Sequence, residues 1–441
     1  MADAYDAIVI GAGPAGEVCA GELADGGMKN VAIVERELVA GECSFWACMP
    51  SKTLLRPGET LAAARRAWGA RRAVTGELDV AESLEWRNEV VSNWDDSGYL
   101  PWLEERGIEL IRGAGRITGP GKVDVDGTVY ETERIVIATG SAPAFPPVDG
   151  LEGLGGVWTN REVTGMKEVP SSILILGGGP VGVEMSQALT RFGAKVILVE
   201  AEDRLLAREA ERVGTTLGEA LEEEGVELRL GALAEQAAAG GGGYTLTLKG
   251  GEELSAEKLL VATGRRPNVD VGLDKVGIEP GKRGIEVDER LRAGEGVWAI
   301  GDVNGISPFT HVGKYQARIA AQDMLGNQAR ADYRAVPRVV FTDPQVCAVG
   351  ETEGKTGTCE LTDIARTSTY ARNGKARGFL TLVSDGTKLT GAYAVGPEAG
   401  DWMGQATLAV RAGVTLDLLH DTMQPFPTFS EAFAAALADL G

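Results

Sequence analysis

The sequence predicts an α/β protein, because one succession of strand, glycine-rich turn, helix and second strand occurs twice along the chain. The first copy begins near residue 5 and the second near residue 172. Glycine makes up 61 of 441 residues without a collagen-like period, so we expect many tight turns and close backbone approaches. At about 150 residues per domain, a chain of this length forms roughly three domains.

The first copy contains each part of a dinucleotide-binding unit of the Rossmann type. An apolar strand at residues 5–10 leads into a G-x-G-x-x-G turn, a helix and a second strand that ends at Glu35. The three glycines of the turn are Gly11, Gly13 and Gly16. They permit the tight turn, the close approach of a pyrophosphate and the packing of helix on strand, in that order. Glu35 has the spacing of a carboxylate that binds a ribose.

The second copy repeats this pattern from residue 172 to Glu200. Its three glycines are Gly177, Gly179 and Gly182. Two complete copies predict two bound dinucleotides, for which a flavin in the first copy and a nicotinamide in the second form the natural pair. Glu200 would accept hydrogen bonds from a ribose 2′-hydroxyl and repel a 2′-phosphate, which favours NADH over NADPH. Arg204 and Arg208 follow closely, and we interpret them as solvated residues rather than as phosphate ligands.

Each copy is followed by a further buried strand that ends in a Thr-Gly turn. Thr139 and Gly140 form the first of these turns, and Thr263 and Gly264 form the second. A single strand with such a turn would be ordinary in any α/β protein. Its occurrence after both copies favours a shared role in closing the two dinucleotide-binding domains.

Two cysteines follow the first copy directly. Cys43 and Cys48 lie five residues apart near a predicted helix start, so a bridge would span about one and a half turns. A helix N-terminus lowers the pKa of a thiol, and the positive charge of Lys52 would act in the same direction. The spacing alone does not separate a redox pair from two unrelated thiols. The place directly after a flavin-type unit favours the redox pair.

The composition excludes several classes of protein. Lys and Arg total 43 against 64 Asp and Glu, and the net charge of −21 argues against binding to nucleic acid or to an anionic membrane. No apolar run approaches the roughly 18 residues of a membrane span, and no leader precedes the first strand, so we expect a cytoplasmic protein. The two histidines, His311 and His420, lie far apart, so we expect no metal site.

Taken in order, these motifs resemble the flavoprotein pyridine nucleotide-disulfide oxidoreductases, the family of dihydrolipoamide dehydrogenase, glutathione reductase and mercuric reductase. Further segments that resemble this family lie at residues 262–268, 299–303, 309–312 and 337–350. The resemblance covers the whole chain. It implies FAD and NAD(P)H as cofactors, two Rossmann-like dinucleotide-binding domains and a C-terminal α+β dimerisation domain. The expected limits are residues 1–149 and 271–333 for the FAD domain, 150–270 for the NAD(P)H domain and 334–441 for the interface domain.

The resemblance also implies roles for single residues. Cys43 would be the interchange thiol that meets the acceptor, and Cys48 would face the flavin. Lys52 and Glu184 would pair where the nicotinamide docks. Electrons would pass from NADH through FAD to the Cys43–Cys48 disulfide and on to the acceptor. The expected FAD-binding residues are Gly11, Gly13, Gly16, Glu35, Thr139, Gly140, Gly301, Asp302, Thr310 and His311. The expected NAD-binding residues are Gly177, Gly179, Gly182, Glu200, Gly264 and Arg265.

The sequence departs from the family at the C-terminal His-Pro-x-x-x-Glu motif, whose His acts across the dimer as acid–base for the interchange thiol. Here the frame reads Phe426-Pro427-Thr428-Phe429-Ser430-Glu431. Glu431 is kept and would act in trans within a homodimer, but the phenyl ring of Phe426 cannot transfer a proton. Between the cysteines, Phe45 and Trp46 either line an apolar acceptor pocket or pack the redox helix.

This departure leaves three hypotheses about function. The first is reduction of a small disulfide, which the cysteine pair supports and the missing base opposes. The second is reduction of a quinone or another electron acceptor, including a metal ion. The third is a redox sensor without turnover, which the complete set of cofactor and dithiol motifs disfavours.

Overall fold

The computed structural model describes residues 4–371 and 377–441 of the chain. In chain order the strands are β1 (Ala4–Tyr5), β2 (Ala7–Ile10), β3 (Val31–Glu35), β4 (Ile108–Arg112), β5 (Gly115–Gly119), β6 (Lys122–Val125), β7 (Thr128–Thr132), β8 (Ile135–Ile137), β9 (Ser141–Pro143), β10 (Ser172–Leu176), β11 (Lys195–Val199), β12 (Glu227–Arg229), β13 (Ala234–Gly240), β14 (Gly243–Leu248), β15 (Glu253–Ala256), β16 (Lys258–Val261), β17 (Arg265–Pro267), β18 (Arg292–Gly294), β19 (Val297–Ala299), β20 (Arg338–Val340), β21 (Gln345–Gly350), β22 (Lys355–Glu360), β23 (Phe379–Ser384) and β24 (Leu389–Gly396).

The helices, again in chain order, are α1 (Pro14–Asp25), α2 (Gly41–Phe45), α3 (Cys48–Arg66), α4 (Val80–Val90), α5 (Leu100–Glu105), α6 (Asn160–Thr164), α7 (Pro180–Arg191), α8 (Glu211–Glu223), α9 (Thr310–Met324), α10 (Ala365–Tyr370), α11 (Ala399–Trp402), α12 (Gly404–Ala412), α13 (Leu416–His420) and α14 (Glu431–Leu440). No helix among the described residues is long and apolar enough to cross a membrane.

The chain forms two compact units. Unit 1 comprises Met1–Pro50, Arg87–Ala144 and Arg265–Asp332, and unit 2 comprises Ser51–Trp86, Phe145–Gly264 and Tyr333–Gly441. Unit 1 therefore contains the first dinucleotide-binding copy, and unit 2 contains the second copy together with the C-terminal segment. The domain limits that the sequence predicts within these units stay a prediction.

Unit 1 is built on a six-stranded sheet in the order β18-β19-β8-β2-β3-β4. All of its neighbours run parallel except the β18–β19 pair. All four residues of β2 are buried, as are the first four of β3. Such unbroken apolar runs are typical of parallel strands that are covered on both faces. A second sheet has the order β1-β7-β6-β5, and β9 pairs with β17.

Helices α1 and α9 pack against each other in unit 1 through small residues. Ala20 on α1 and Ala317 and Ala320 on α9 are fully buried in one apolar cluster. A Cβ placed on Gly313 of α9 would lie 3.2 Å from the Cβ of Ala15 on α1. Because the side chains are small, the two helix starts lie close together, and both contribute to the site.

Unit 2 contains a parallel sheet in the order β12-β11-β10-β16, which is the second dinucleotide-binding copy. A three-stranded antiparallel sheet, β13-β14-β15, is also present. The C-terminal part is an antiparallel sheet in the order β20-β21-β24-β23-β22 with helices, which confirms the predicted α+β character. Gly357 on β22 allows α14 to approach, since a Cβ there would lie 2.1 Å from the carbonyl oxygen of Ala436.

One apolar core joins the parts of unit 2. It contains Leu54 of α3, Val183 and Leu189 of α7, and Val346 and Phe379 of the C-terminal sheet. Each of these side chains is buried. Since burial of a large aliphatic or aromatic side chain stabilises a fold by about 1.5–3 kcal/mol, this core holds the second copy and the C-terminal sheet together.

Candidate active site

The first glycine-rich turn lies between β2 and α1 and leaves room for a phosphate. Gly11 has φ +105°, and a Cβ there would lie 2.4 Å from the carbonyl oxygen of Ala138. A Cβ on Gly16 would lie 1.9 Å from the carbonyl oxygen of Gly11, so the strand–helix contact requires glycine. No described atom lies within 4 Å of a Cβ placed on Gly13, just before the helix start. This open place beside the first amides of α1 fits the pyrophosphate of FAD.

Glu35 and the Thr139 turn complete this edge of the sheet in unit 1. Glu35 accepts hydrogen bonds from the backbone N–H of Ala12 at 2.7 Å and of Glu37 at 2.8 Å. The carboxylate therefore lies beside the glycine-rich turn, where a ribose would meet it. The Thr139 hydroxyl donates to the carbonyl oxygen of Asn268 at 2.7 Å, and the predicted closing role of this turn stays a prediction.

Asp302 lies in a polar cluster of unit 1 that includes Arg265. Its Oδ2 accepts from the Ser141 hydroxyl at 2.5 Å, and Nε of Arg265 donates to the same hydroxyl oxygen at 2.6 Å. Arg265 also pairs with Glu42 at 3.1 Å. The sequence grouped Arg265 with the NAD-binding residues, whereas the structure brings it together with Asp302 of the FAD group. Gly301, directly before Asp302, donates its N–H to a buried glutamine oxygen at 2.7 Å.

The second glycine-rich turn, between β10 and α7, repeats the first. A Cβ on Gly177 would lie 2.6 Å from the carbonyl oxygen of Ala262, and one on Gly182 would lie 1.9 Å from that of Gly177. A Cβ placed on Gly179 would lie 4.0 Å from the carbonyl oxygen of Ala262, which again leaves an open place at the helix start. Gly264 has φ +129°, a conformation that favours glycine. The turn fits a second dinucleotide.

Glu200, the predicted ribose ligand, lies beside the second glycine-rich turn. Its Oε2 accepts from the N–H of Gly178 at 2.5 Å, and its Oε1 accepts from the N–H of Glu202 at 2.9 Å. Arg204 is engaged locally, with an ion pair to Asp203 at 2.9 Å. The carboxylate, and not a guanidinium, therefore lies against the glycine-rich turn.

Cys43 and Cys48 come together at the start of α9. The Thr310 hydroxyl donates to Sγ of Cys43 at 3.0 Å and lies 3.4 Å from Sγ of Cys48. Both cysteines are half-buried. A hydrogen bond with Cys48, together with burial, raises the pKa of the Cys43 thiol well above its ordinary value. Cys43 therefore retains its proton more strongly than a solvated thiol would.

The sequence suggested that the two cysteines lie on one continuous helix, but the structure places them on two. Cys43 belongs to α2, which ends at Phe45, and Cys48 begins α3. Phe45 is fully buried and its ring lies 6.1 Å from the ring of Tyr99, so Phe45 packs in the core rather than lining a pocket. Trp46 packs against the same cluster. The break lets the two sulfurs face the same hydroxyl.

Lys52 and Glu184 form an ion pair in unit 2. Nζ of Lys52 lies 2.7 Å from Oε2 of Glu184, which is only 4% exposed. The other carboxylate oxygen accepts from the backbone N–H of Phe341 at 2.9 Å. Nζ of Lys52 also lies 4.8 Å from the centroid of the Phe341 ring. A buried carboxylate with both oxygens engaged has one fixed position, so Glu184 in turn fixes the ammonium of Lys52.

Asp343 forms a second polar junction in unit 2, which sequence reasoning missed. Its carboxylate accepts from Arg66 of α3 at 2.8 and 3.1 Å and pairs with Arg191 of α7 at 2.9 Å. Its backbone N–H donates to Gln187 at 2.8 Å. The sequence marked residues 337–350 as the start of the interface domain, but no local signal tells which helices the segment contacts.

The C-terminal frame places Phe426 at the surface of unit 2. Phe426 is 75% exposed, and Glu431 begins α14 and accepts from the backbone N–H of Thr428 at 3.2 Å. His420 is exposed at the end of α13. His311 belongs to unit 1, where its ring stacks on Phe309 with centroids 5.2 Å apart. Neither histidine belongs to the C-terminal frame. Within the described ranges, no group of three or more His, Cys, Asp and Glu side chains could hold a metal ion.

Comparison with known families decides the assignment. Residues 5–323 match the pyridine nucleotide-disulphide oxidoreductase family, and residues 336–437 match its dimerisation domain. The chain belongs to the pyridine nucleotide-disulphide oxidoreductases. As a member of this family, it is an FAD-dependent oxidoreductase that passes electrons from NAD(P)H to a disulfide, and the predicted fold class and cofactors are confirmed.

Other pyridine nucleotide-disulphide oxidoreductases are similar over nearly the whole length. A dihydrolipoyl dehydrogenase of Thermus scotoductus is 35% identical, covering 98% of this chain and 96% of that protein. A mercuric reductase of Lysinibacillus sphaericus is 31% identical, covering 98% of this chain and 82% of that protein. The Cu(II) complex of the HOCl-induced flavoprotein disulfide reductase RclA of Escherichia coli has a TM-score of 0.87 at 26% identity, covering 99% of both chains.

Proposed function

We propose that the chain uses NADH to reduce an acceptor at Cys43 without acid–base help from a histidine, and that this acceptor is a disulfide with acidic thiols. The observation that carries the proposal is Phe426, which occupies the histidine position of an otherwise intact frame ending at Glu431. Thiols of low pKa leave as thiolates, so their departure needs no proton donor.

The thiol pair performs the exchange in two steps. Cys43 Sγ forms a bond to one sulfur of the acceptor, and the other sulfur leaves as a thiolate. Cys48 Sγ then attacks Cys43 Sγ, which releases the second thiolate and leaves a Cys43–Cys48 disulfide. Two electrons have then passed to the acceptor. The Thr310 hydroxyl, 3.0 Å from Cys43 Sγ and 3.4 Å from Cys48 Sγ, holds both sulfurs at one place.

NADH restores the dithiol. FAD, when bound, relays two electrons between the nicotinamide and the sulfurs. Over one cycle, NADH and the disulfide give NAD⁺, one proton and two thiolates. Gly11, Gly13 and Glu35 are the residues that would hold FAD, and Gly179 and Glu200 are those that would hold NADH.

Lys52 and Glu184 serve the nicotinamide side of the reaction in this proposal. Glu184 is buried and its two oxygens are occupied, one by Lys52 and one by the Phe341 N–H. The ion pair thus holds a positive charge in a fixed place, which is what orientation of a polar ligand requires.

The partner subunit would complete the site through Glu431 and Phe426. This is supported by the family dimerisation domain at residues 336–437 and by the exposure of apolar side chains on its C-terminal segment. Phe426 is 75% exposed and Met423 is 94% exposed in the single chain. Large apolar side chains this open to solvent are typical of surfaces that a partner covers.

A second candidate function is reduction of a quinone or an oxidised metal ion. The same Phe426 favours it, because neither acceptor needs a base at Cys43. The solved Cu(II) complex of RclA, a structural relative, adds support for a metal ion. A quinone would take electrons from the flavin directly, whereas a metal ion would meet the two thiols.

A panel of acceptors with one variant tests the proposal. NADH consumption is measured with an aromatic disulfide such as 5,5′-dithiobis(2-nitrobenzoate), with lipoamide, with a benzoquinone and with Cu(II), for wild type and Cys43→Ser. We expect turnover of the aromatic disulfide that Cys43→Ser abolishes, and little turnover of lipoamide. Fast quinone reduction that survives Cys43→Ser, without disulfide turnover, would establish the second candidate instead.

A further inference from the structure

The first turns of α9 present two side chains on the same face. Thr310 begins the helix, and Lys314 follows four residues later. Side chains at i and i+4 lie one above the other on a helix. Thr310 already contacts Cys43 Sγ at 3.0 Å and Cys48 Sγ at 3.4 Å. The long Lys314 side chain therefore extends from the helix face that meets the two sulfurs.

The electrostatics agree with this placement. The hydrogen bond with Cys48 and burial raise the pKa of Cys43, whereas the Thr310 hydroxyl and the Lys314 ammonium lower it. The positive charge of Lys314 therefore favours the thiolate form of Cys43. The Lys314 side chain is exposed, so it can adapt to an acceptor in front of the thiol.

We propose that Lys314 acts as a positioning charge that stabilises the Cys43 thiolate and the negative charge that builds up on the acceptor sulfur. This inference rests on the proposed role of Cys43 as the interchange thiol. An ammonium cannot replace a histidine as a base near neutral pH, but it lowers the energy of an anion beside it. It would help attack by Cys43 and departure of a thiolate without moving a proton.

Other charges face this group from the neighbouring elements. Glu17 on α1 interacts with Lys314, and burial, opposed by Lys314 and assisted by Glu35, raises the pKa of Glu17 to about 7. One turn further along α9, Arg318 pairs with Glu22 of α1 at 3.6 Å. Lys314 and Arg318 thus each act on an acidic residue of α1, Lys314 through its charge and Arg318 through an ion pair. The charge of Lys314 also acts on Cys43, whereas Arg318 lies one turn further from Thr310 along α9.

The test measures the reactivity of the thiol itself. The NADH-reduced holoenzyme is treated with iodoacetamide between pH 6 and 9, and the rate of labelling at Cys43 is followed by peptide mass spectrometry. The variants are Lys314→Met, Lys314→Arg and the matched control Arg318→Gln. Lys314→Met removes a positive charge near the Cys43 thiolate. Because solvent screens the charge of an exposed lysine, we expect a moderate effect: labelling of Cys43 should be about three- to tenfold slower at pH 7.

Each outcome has a definite meaning. Slower labelling in Lys314→Met, with Lys314→Arg and Arg318→Gln within about twofold of wild type, supports the inference. Equal labelling in Lys314→Met and wild type, with equal flavin content, overturns it and leaves the role of Cys43 intact. Labelling of Cys48 instead of Cys43 in the wild type overturns the proposed role of Cys43, and the inference with it.

Discussion

Replacing Phe426 with histidine returns an acid–base group to the one position of the C-terminal frame that lacks it. Because Phe426 is 75% exposed in the single chain, its ring contributes little to the core of its own unit. We therefore expect the free energy of unfolding of the single chain to change by no more than about 0.5 kcal/mol. The fold of the chain is then the same with the new imidazole as without it.

The gain in rate follows from what a positioned base does. General acid–base catalysis is typically worth about 10²–10⁴-fold, and 100-fold corresponds to about 2.7 kcal/mol of activation free energy. Glu431, whose carboxylate lies at the start of α14 and accepts from Thr428 N–H at 3.2 Å, is available to orient the imidazole. The segment was not selected for a histidine, so we expect about a 10- to 100-fold rise in lipoamide turnover.

The assay is NADH-dependent reduction of lipoamide and of oxidised glutathione, with quinone reduction as an internal reference. Met423→His is the matched control, since Met423 is 94% exposed and lies three residues earlier on the same segment. Phe426→His should raise disulfide turnover, more so above pH 6.5 where imidazole is neutral, and leave quinone reduction unchanged. Wild-type turnover of lipoamide as fast as in the variant would refute the reasoning.

Three further predictions concern the cysteine pair, the choice between NADH and NADPH, and the pH dependence of stability. Cys43→Ser should show a long-wavelength absorbance from Cys48 against the oxidised flavin, and Cys48→Ser should not; equal spectra would contradict the assigned roles. Wild type should prefer NADH to NADPH, and Glu200→Ala should lower the ratio of kcat/KM for NADH to kcat/KM for NADPH. A wild-type preference for NADPH would contradict the role of Glu200 in selecting NADH. Glu17 has a pKa of about 7 in the folded state against 4.5 when unperturbed, so the folded state binds more protons between these values and stability falls as pH rises through them. In Glu17→Gln the thermal unfolding midpoint should therefore decrease less as the pH rises from 4.5 to about 7. An unchanged pH profile of the midpoint would exclude Glu17 as the cause of the decrease.

The parts of the fold that depend on neighbouring residues could be predicted from the sequence. The strand at residues 31–35, the turn at Gly11 and the helix after Gly13 follow from apolar runs and from glycine spacing, and the structure contains them. The resemblance covered the whole chain, so the family and its cofactors were also predictable.

Contacts between distant segments could not be predicted in the same way. Thr310 and Cys43 are 267 residues apart, and the sequence presents Thr310 only as part of a flavin motif. The hydrogen bond from the Phe341 N–H to Glu184 comes from backbone geometry, which has no signature in side-chain type. The break between α2 and α3 falls at Trp46, directly after the buried Phe45, and residue spacing alone does not specify it.

The carboxylate of Asp343 has a consequence for how this chain can be divided or recombined. It accepts from Arg66 and Arg191, so one residue of the C-terminal segment is bonded to two helices that lie far earlier in the chain. Deleting residues 334–441 would leave two arginines without this partner and would expose the shared apolar core. We therefore expect the nucleotide-binding part of unit 2 to be less stable without the C-terminal segment. Exchange of C-terminal domains between related enzymes should preserve stability better when the arginine–aspartate contacts are carried along with the exchanged segment.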